Sequence, residues 1–311
     1  MRIVFMGSAE LACPSLEALL ASPLDDVVGI VTQPDRPKGR SQKLSACPIH
    51  QFAATKGVPI FMPEKASDPA FIETLEELLP DLIVLVAYGQ FLKRPILELP
   101  LQGAINVHPS LLPRYRGAAP IQWALARGET TTGVSIMYMS EKMDAGDIIL
   151  QEPYPIQPED TAGTLEPRLA QKGAKMLLRA IDLIREGRAP RTPQDESLVT
   201  LAPKLKKEDG RIDWTKPAQE IANRVRAFNP WPCCYCEPTP GSGEYLKVLK
   251  ARVEILSGKP GEVQMTEKQD PIVAAGDGSI RLLEVQPPGK RPMTGADWAR
   301  GRRLVGGEVL G

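Results

Sequence analysis

Arg2-Ile3-Val4-Phe5-Met6-Gly7 opens the chain and decides its fold class. An apolar run ends on a glycine, and Leu11, Leu16, Leu19 and Leu20 follow at helical spacing. Val27-Val28-Gly29-Ile30-Val31 comes next without alternation, as expected of a strand buried on both faces. Strand-like runs recur at Val58–Phe61, Leu82–Val86 and Ala104–Val107, with helical patterns at about 48–56 and 68–79 between them. This alternation predicts an α/β fold, a Rossmann-like doubly wound and mostly parallel sheet. Thr132–Met139 is expected to add a strand, and about 161–186 a long closing helix. Gly7-Ser8-Ala9-Glu10 lacks the G-x-G-x-x-G pattern, so it reads as a plain strand-to-helix turn and not as a nicotinamide site.

Further along, the texture changes. Residues 188–203 hold Pro190, Pro193 and Pro203 among polar residues with no periodicity, which reads as a linker. A helix at about 217–227 and short strands near 245–256, 261–266, 271–275 and 280–286 follow, punctuated by Gly and Pro as in a small β-barrel. The expected organisation is a catalytic domain over 1–189, a linker over 190–204 and a second domain over 205–311.

A length of 311 residues suits two domains, and 42% apolar with 24% charged residues argues against a disordered chain. The net charge of zero supplies no bulk attraction to nucleic acid or membrane. Residues 203–311 nevertheless carry 18 Lys/Arg against 14 Asp/Glu, leaving them at +4 and the rest at −4. No charged start followed by a long apolar run precedes the five cysteines, and no run approaches a membrane span, so a cytoplasmic protein with reduced thiols and no membrane partner is expected. Cys233-Cys234-Tyr235-Cys236 invites a metal, but with two histidines in the chain and no second thiol pair none is expected.

Chemistry concentrates in Ile105-Asn106-Val107-His108-Pro109-Ser110-Leu111-Leu112-Pro113-Arg114-Tyr115-Arg116-Gly117. Side chains alternate along a strand, so Asn106 and His108 share one face and Ile105 and Val107 the other. Pro109 cannot donate to a ladder and ends the strand. Both polar groups fall at the carboxyl end of a parallel strand, where open α/β sheets bind ligands. Taken alone, the pair also fits a satisfied core histidine and an asparagine capping the next turn. The following loop, with two arginines and an aromatic between prolines, is poor core material and favours a site. Met143-Asp144-Ala145-Gly146-Asp147 then sets two carboxylates beside a glycine. Asp144 against His108 would fix the imidazole tautomer and balance a charge on the ring.

These residues resemble the folate-dependent formyltransferases, whose hallmark is an Asn-x-His pair, a Ser-Leu-Leu-Pro loop and a later Asp-x-Gly-Asp segment. The resemblance continues through Thr32-Gln33-Pro34-Asp35-Arg36, Val86-Ala87-Tyr88-Gly89, Arg116-Gly117-Ala118-Ala119-Pro120-Ile121-Gln122 and Arg226-Ala227-Phe228-Asn229-Pro230-Trp231-Pro232. These stretches narrow it to the members that act on methionyl-tRNA. The resemblance implies Asn106, His108 and Asp144 as the catalytic trio. It implies Ser110, Leu111, Leu112 and Pro113, with Tyr88 and Gly89, as the folate site. It further implies 10-formyltetrahydrofolate as cosubstrate without a metal, initiator methionyl-tRNA as partner, a monomer, and an OB-like C-terminal barrel. In the family the loop matching Arg36–Leu44 is basic and contacts the tRNA acceptor end, here through Arg40 and Lys43. Ser41-Gln42 stand where the family carries a Gly-Lys pair, so one charge is missing.

Amine attack on a formyl carbon generates a tetrahedral intermediate with charge on oxygen, which Asn106 and a protonated His108 could both meet with hydrogen bonds. Asp144 could take part in relaying the amine proton. A formyltransferase acting on a sugar-nucleotide amine would share the trio, the loop and the two-domain plan. A glycinamide ribonucleotide formyltransferase would leave the C-terminal third unexplained. A non-catalytic nucleotide- or RNA-binding protein would rely on aromatics such as Trp214, Trp231 and Tyr245 for stacking, and leaves the trio without a purpose.

Overall fold

The computed structural model describes residues 1–38, 43–267 and 269–311, and for residues 37, 38, 43 and 44 the backbone alone. The chain divides into two compact units. The first comprises Met1–Pro120, Thr131–Pro155 and Glu166–Pro203, and the second Ile121–Thr130, Ile156–Leu165 and Lys204–Gly311.

In the first unit the strands are β1 (Arg2–Gly7), β2 (Asp26–Val31), β3 (Arg36–Lys38), β4 (Lys43–Ser45), β5 (Ile60–Phe61), β6 (Leu82–Val86), β7 (Ala104–His108), β8 (Thr131–Tyr138) and β9 (Ile148–Pro155). The helices are α1 (Cys13–Leu20), α2 (Pro48–Ala53), α3 (Pro69–Glu77), α4 (Arg94–Leu97), α5 (Pro120–Ala126) and α6 (Ala162–Arg185), of which α5 and the first turn of α6 fall largely in the second unit. β3 and β4 form a separate antiparallel pair, and the other seven strands make one sheet in the order β5-β2-β1-β6-β7-β8-β9. Pairing is parallel from β5 to β7 and antiparallel at β8 and β9.

Both faces of the central strands are covered, which is why β6 is buried along its whole length and shows no alternation in sequence. On one face Val4, Met6, Ile83 and Leu85 pack with Phe71 and Leu75 of α3. Asn106 is in register with Leu85, so Asn106 and His108 continue this face at its carboxyl end. On the other face α6 approaches β7 at Gly173, where a Cβ would stand 2.8 Å from Val107 Cγ1. The strand order reverses between β1 and β6, and the ends at Gly7, Val86 and His108 therefore border the crevice where such sheets take ligands.

Residues 188–203, expected as a linker, are hydrogen-bonded into the first unit, which reaches Pro203 and not residue 189. Thr192 exchanges backbone hydrogen bonds with Ile148 at 2.8 and 3.1 Å, Arg116 N donates to Thr200 O at 2.9 Å, and Ala202 N donates to Arg116 O at 2.7 Å. This order comes from backbone pairing with the start of β9 and the loop after β7, which leaves no periodic side-chain pattern to read.

The second unit contains α7 (Ala218–Ala227), β10 (Cys234–Cys236), β11 (Leu246–Glu254), β12 (Val263–Met265), β13 (Pro271–Ala274), β14 (Ser279–Gln286), β15 (Met293–Thr294) and α8 (Gly295–Arg302). Its antiparallel sheet runs β10-β11-β14-β13-β12, with β15 beside β14; α7 packs on β11 and β14, and α8 on β14 and β13. Among the described residues this is an open path, and the pairing does not trace the closed OB-like barrel the resemblance implies. Trp123 meets Phe228 edge-to-face at 6.0 Å and 82°, fastening Ile121–Thr130 into this unit. Burial pushes the Cys234 and Cys236 thiols up to about 12, so both stay protonated and inert. Among the described residues no helix is long and apolar enough to cross a membrane.

Candidate active site

His108 ends β7 and is almost completely buried. Its Nε2 lies 2.9 Å from the Tyr115 carbonyl oxygen. A carbonyl only accepts, so Nε2 carries a proton, and in the neutral ring Nδ1 is the bare nitrogen. Nδ1 faces Asp144 Oδ2 at 3.7 Å, within ion-pair reach but beyond a hydrogen bond. The contact expected between His108 and Asp144 is thus a facing pair, and Nδ1 is the ring nitrogen left for a ligand.

Asp144 Oδ2 accepts instead from Gly117 N at 2.8 Å. Asp144 and Tyr115 both adopt left-handed backbone, with φ of 49° and 63°, a conformation that costs a non-glycine residue roughly 1–2 kcal/mol. Surrounding bonds hold both. Tyr115 N donates to Thr200 Oγ1 at 2.9 Å. Gln194 Nε2 donates to the carbonyls of Asp144 and Gly146, each at 2.8 Å. Gly146 admits no side chain, because a Cβ there would stand 1.8 Å from Tyr138 O. Asn106 shares the face of His108, and among the described residues its amide makes no hydrogen bond, so both its donors are available to a bound molecule.

The Ser110–Pro113 loop is preformed. Ser110 Oγ donates to Arg114 O at 2.7 Å, and Ser135 Oγ in β8 donates to Ser110 O at 2.7 Å while accepting from Leu112 N at 3.2 Å. Gln151 of β9 donates to Leu112 O and to Ser135 Oγ, at 2.8 and 2.9 Å. Leu111 lies over Gly133, where a Cβ would stand 2.4 Å from Leu111 Cδ2. Leu112 is buried, whereas Leu111 and Pro113 remain half-exposed and can meet a ligand.

Tyr88 reaches the crevice through its backbone. Its ring is packed in the core beside Leu92 and Ile96, and burial pushes its phenol up to about 12. Only its backbone borders the crevice: Ser8 Oγ and Gln33 Nε2 donate to Tyr88 O at 3.2 and 2.9 Å, tying together the segments after β1, β2 and β6. Gly89, at φ 83°, lies so close to Gln33 that a Cβ would stand 2.6 Å from Nε2. Arg40 lies outside the described residues, and of Lys43 only the backbone in β4 is described. At the base of that hairpin, Asp35 accepts from Cys47 N at 3.3 Å and pairs with His50 Nδ1 at 2.9 Å. Sequence reasoning assigned no role to Gln194, Thr200, Ser135 or Gln151. Their polar atoms act on backbone of distant segments, and only a folded chain displays that.

Fold and site together define an enzyme of the formyl transferase family, and the chain belongs to that family. The family model "Formyl transferase" matches residues 1–181, and its C-terminal domain model matches residues 204–303. Within the family, the chain is 48% identical over 313 residues to the methionyl-tRNA formyltransferase of Moorella thermoacetica, covering 100% of this chain and 99% of that one. It is also 48% identical to the protein of the same name from Syntrophus aciditrophicus, over 99% of this chain and 98% of the relative. Among solved structures, the fold is similar to that of WlaRD, described as a sugar 3N-formyl transferase in the presence of dTDP and 5-N-formyl-THF. The TM-score is 0.66 at 20% identity, covering 94% of this chain and 99% of the other.

Proposed function

We propose that the protein transfers the formyl group of 10-formyltetrahydrofolate to the amino group of methionyl-initiator-tRNA, giving N-formylmethionyl-tRNA and tetrahydrofolate. The observation that carries this reading is identity of 48% along the whole chain, both units included, to proteins named for that reaction. The likenesses to sugar N-formyltransferases lie at 20% identity or below and concern the fold alone. A charged-tRNA acceptor fits a cytoplasmic enzyme, and we read the chain as acting as a monomer.

The neutral amine attacks the formyl carbon. As its C–N bond forms, the carbonyl electron pair moves to oxygen, where the unpaired Asn106 amide donates a hydrogen bond. His108, held by the Tyr115 carbonyl at Nε2, presents Nδ1 to the same oxygen and donates when protonated there. One amine proton passes to the Asp144 carboxylate, directly or through water. Collapse of the intermediate breaks the bond to N10, which takes the electron pair and receives the proton held by Asp144, directly or through water, so tetrahydrofolate leaves neutral at that nitrogen and the carboxylate is restored. Leu111 and Pro113 flank the folate, and Arg40 and Lys43 contact the acceptor end of the tRNA.

Incubation with 10-formyltetrahydrofolate and either charged initiator tRNA or a sugar-nucleotide amine tests the acceptor. Formylated methionine released from the tRNA is expected. A formylated sugar, with the tRNA untouched, would overturn the assignment. His108→Ala is expected to lower kcat by roughly 10²–10³, and near-parental turnover would remove it from the chemistry.

A further inference from the structure

From the segment after α6, the Gln194 side chain reaches the backbone that carries Asp144. Gln194 Nε2 donates to the carbonyls of both Asp144 and Gly146 at 2.8 Å, so it spans the turn that presents the Asp144 carboxylate. Gln194 is itself oriented: Arg116 Nε and Nη2 donate to its Oε1 at 3.0 and 2.8 Å. Arg116 is buried, and its guanidinium also forks onto Glu196 through bonds of 3.2 and 2.8 Å. An amide pinned at its oxygen has only one direction in which to point its two hydrogens. The residue after Arg116 completes the frame, since Gly117 N donates to Asp144 Oδ2. The turn so held is left-handed at Asp144, and a bare loop would relax away from that conformation.

We propose that Gln194 is the positioning residue for Asp144: oriented by Arg116, it holds the Asp144–Gly146 turn so that the carboxylate faces His108 Nδ1. The proposal rests on the reading of Asp144 as the proton acceptor. It requires the amide specifically, because the donors do the work and the acceptor only aims them.

Gln194→Glu separates those two tasks. The carboxylate keeps an acceptor for Arg116 but sets an oxygen against two carbonyls. The kcat for formylation of charged tRNA is expected to fall roughly 10- to 100-fold, the cost of a displaced reacting group. KM for both substrates should stay near parental values, while the thermal midpoint falls with the loss of the bonds to two carbonyls. Gln194→Ala, with Arg116 still held by Glu196, is expected to show the same split if the glutamate variant folds poorly. Each variant is also combined with Asp144→Asn, where removing Gln194 should cost nothing further. Parental kcat in both Gln194 variants, with Asp144→Asn impaired, overturns the inference alone. Losses that add fully in the double variant, or that appear in KM, overturn it as well. Parental turnover by Asp144→Asn removes the reading of the trio and the inference with it.

Discussion

Tyr115 donates its amide to Thr200 Oγ1 and accepts His108 Nε2 at its carbonyl, both at 2.9 Å. A single left-handed residue therefore couples the orientation of the imidazole to a segment 85 residues later in the chain. The ring is held by a carbonyl that has no freedom of its own.

Thr200→Val keeps the shape and removes that acceptor. Loss of one such hydrogen bond costs about 0.5–1.5 kcal/mol, so the thermal midpoint should fall. With Tyr115 released, kcat should fall too, while folate affinity is retained, because the Ser110–Pro113 loop is held by other bonds. Thr200→Ser should restore both. Melting curves and steady-state kinetics check this, and a Val variant with parental kcat would uncouple the segment from the histidine.

Ser135→Ala addresses the folate loop. It deletes one hydroxyl that donates to Ser110 and accepts from Leu112 and Gln151. A loosened loop binds its ligand less tightly, and KM for 10-formyltetrahydrofolate should rise about tenfold, equivalent to about 1.4 kcal/mol. The kcat at saturating folate should change little. A rise in KM for the tRNA instead would place the loop on the other substrate.

Glu166 gives a pH signature. Burial pushes its carboxyl up from the ordinary value of 4.5, and the nearby Glu10 carboxylate adds to the shift. Below the ordinary value both folded and unfolded chains carry the proton, and the group is neutral to stability. As pH rises through the raised folded value, the unfolded chain ionises more readily and stability is lost. Glu166→Gln should therefore be more resistant to urea than the parent at pH 7, with the difference closing near pH 4. Equal resistance at pH 7 would show that the charge is accommodated without penalty.

Much of this architecture was legible in the residues themselves. The runs at Leu82–Val86 and Ala104–Val107 are central parallel strands because apolar residues without alternation fit only a sheet covered on both sides. Alternation alone put Asn106 and His108 on one face. β9 escaped because Pro153 and Pro155 argue against a strand, yet as the sheet edge it tolerates them. α8 escaped because Gly295 and Gly301 interrupt the pattern and polar residues dominate it. That Tyr88 meets the crevice through its carbonyl while its ring packs in the core was not legible, because a motif fixes the residue and not the direction of its side chain. The segment 188–203 was unreadable for the reason that makes it useful: its bonds go to the start of β9 and to the loop after β7, in no repeating pattern.

At Gly117, with φ 127°, the loop behind the histidine passes so close to Ala202 that a Cβ would stand 2.5 Å from its carbonyl oxygen. That crossing fixes where the catalytic half of the chain can be cut. A fragment ending with α6 would carry the sheet and both arms of the crevice, but would lack the Thr200 hydroxyl that holds Tyr115 behind the imidazole. The first compact unit ends at Pro203, and a chimera that exchanges the C-terminal region for another acceptor's is expected to keep its activity only with the junction beyond that proline.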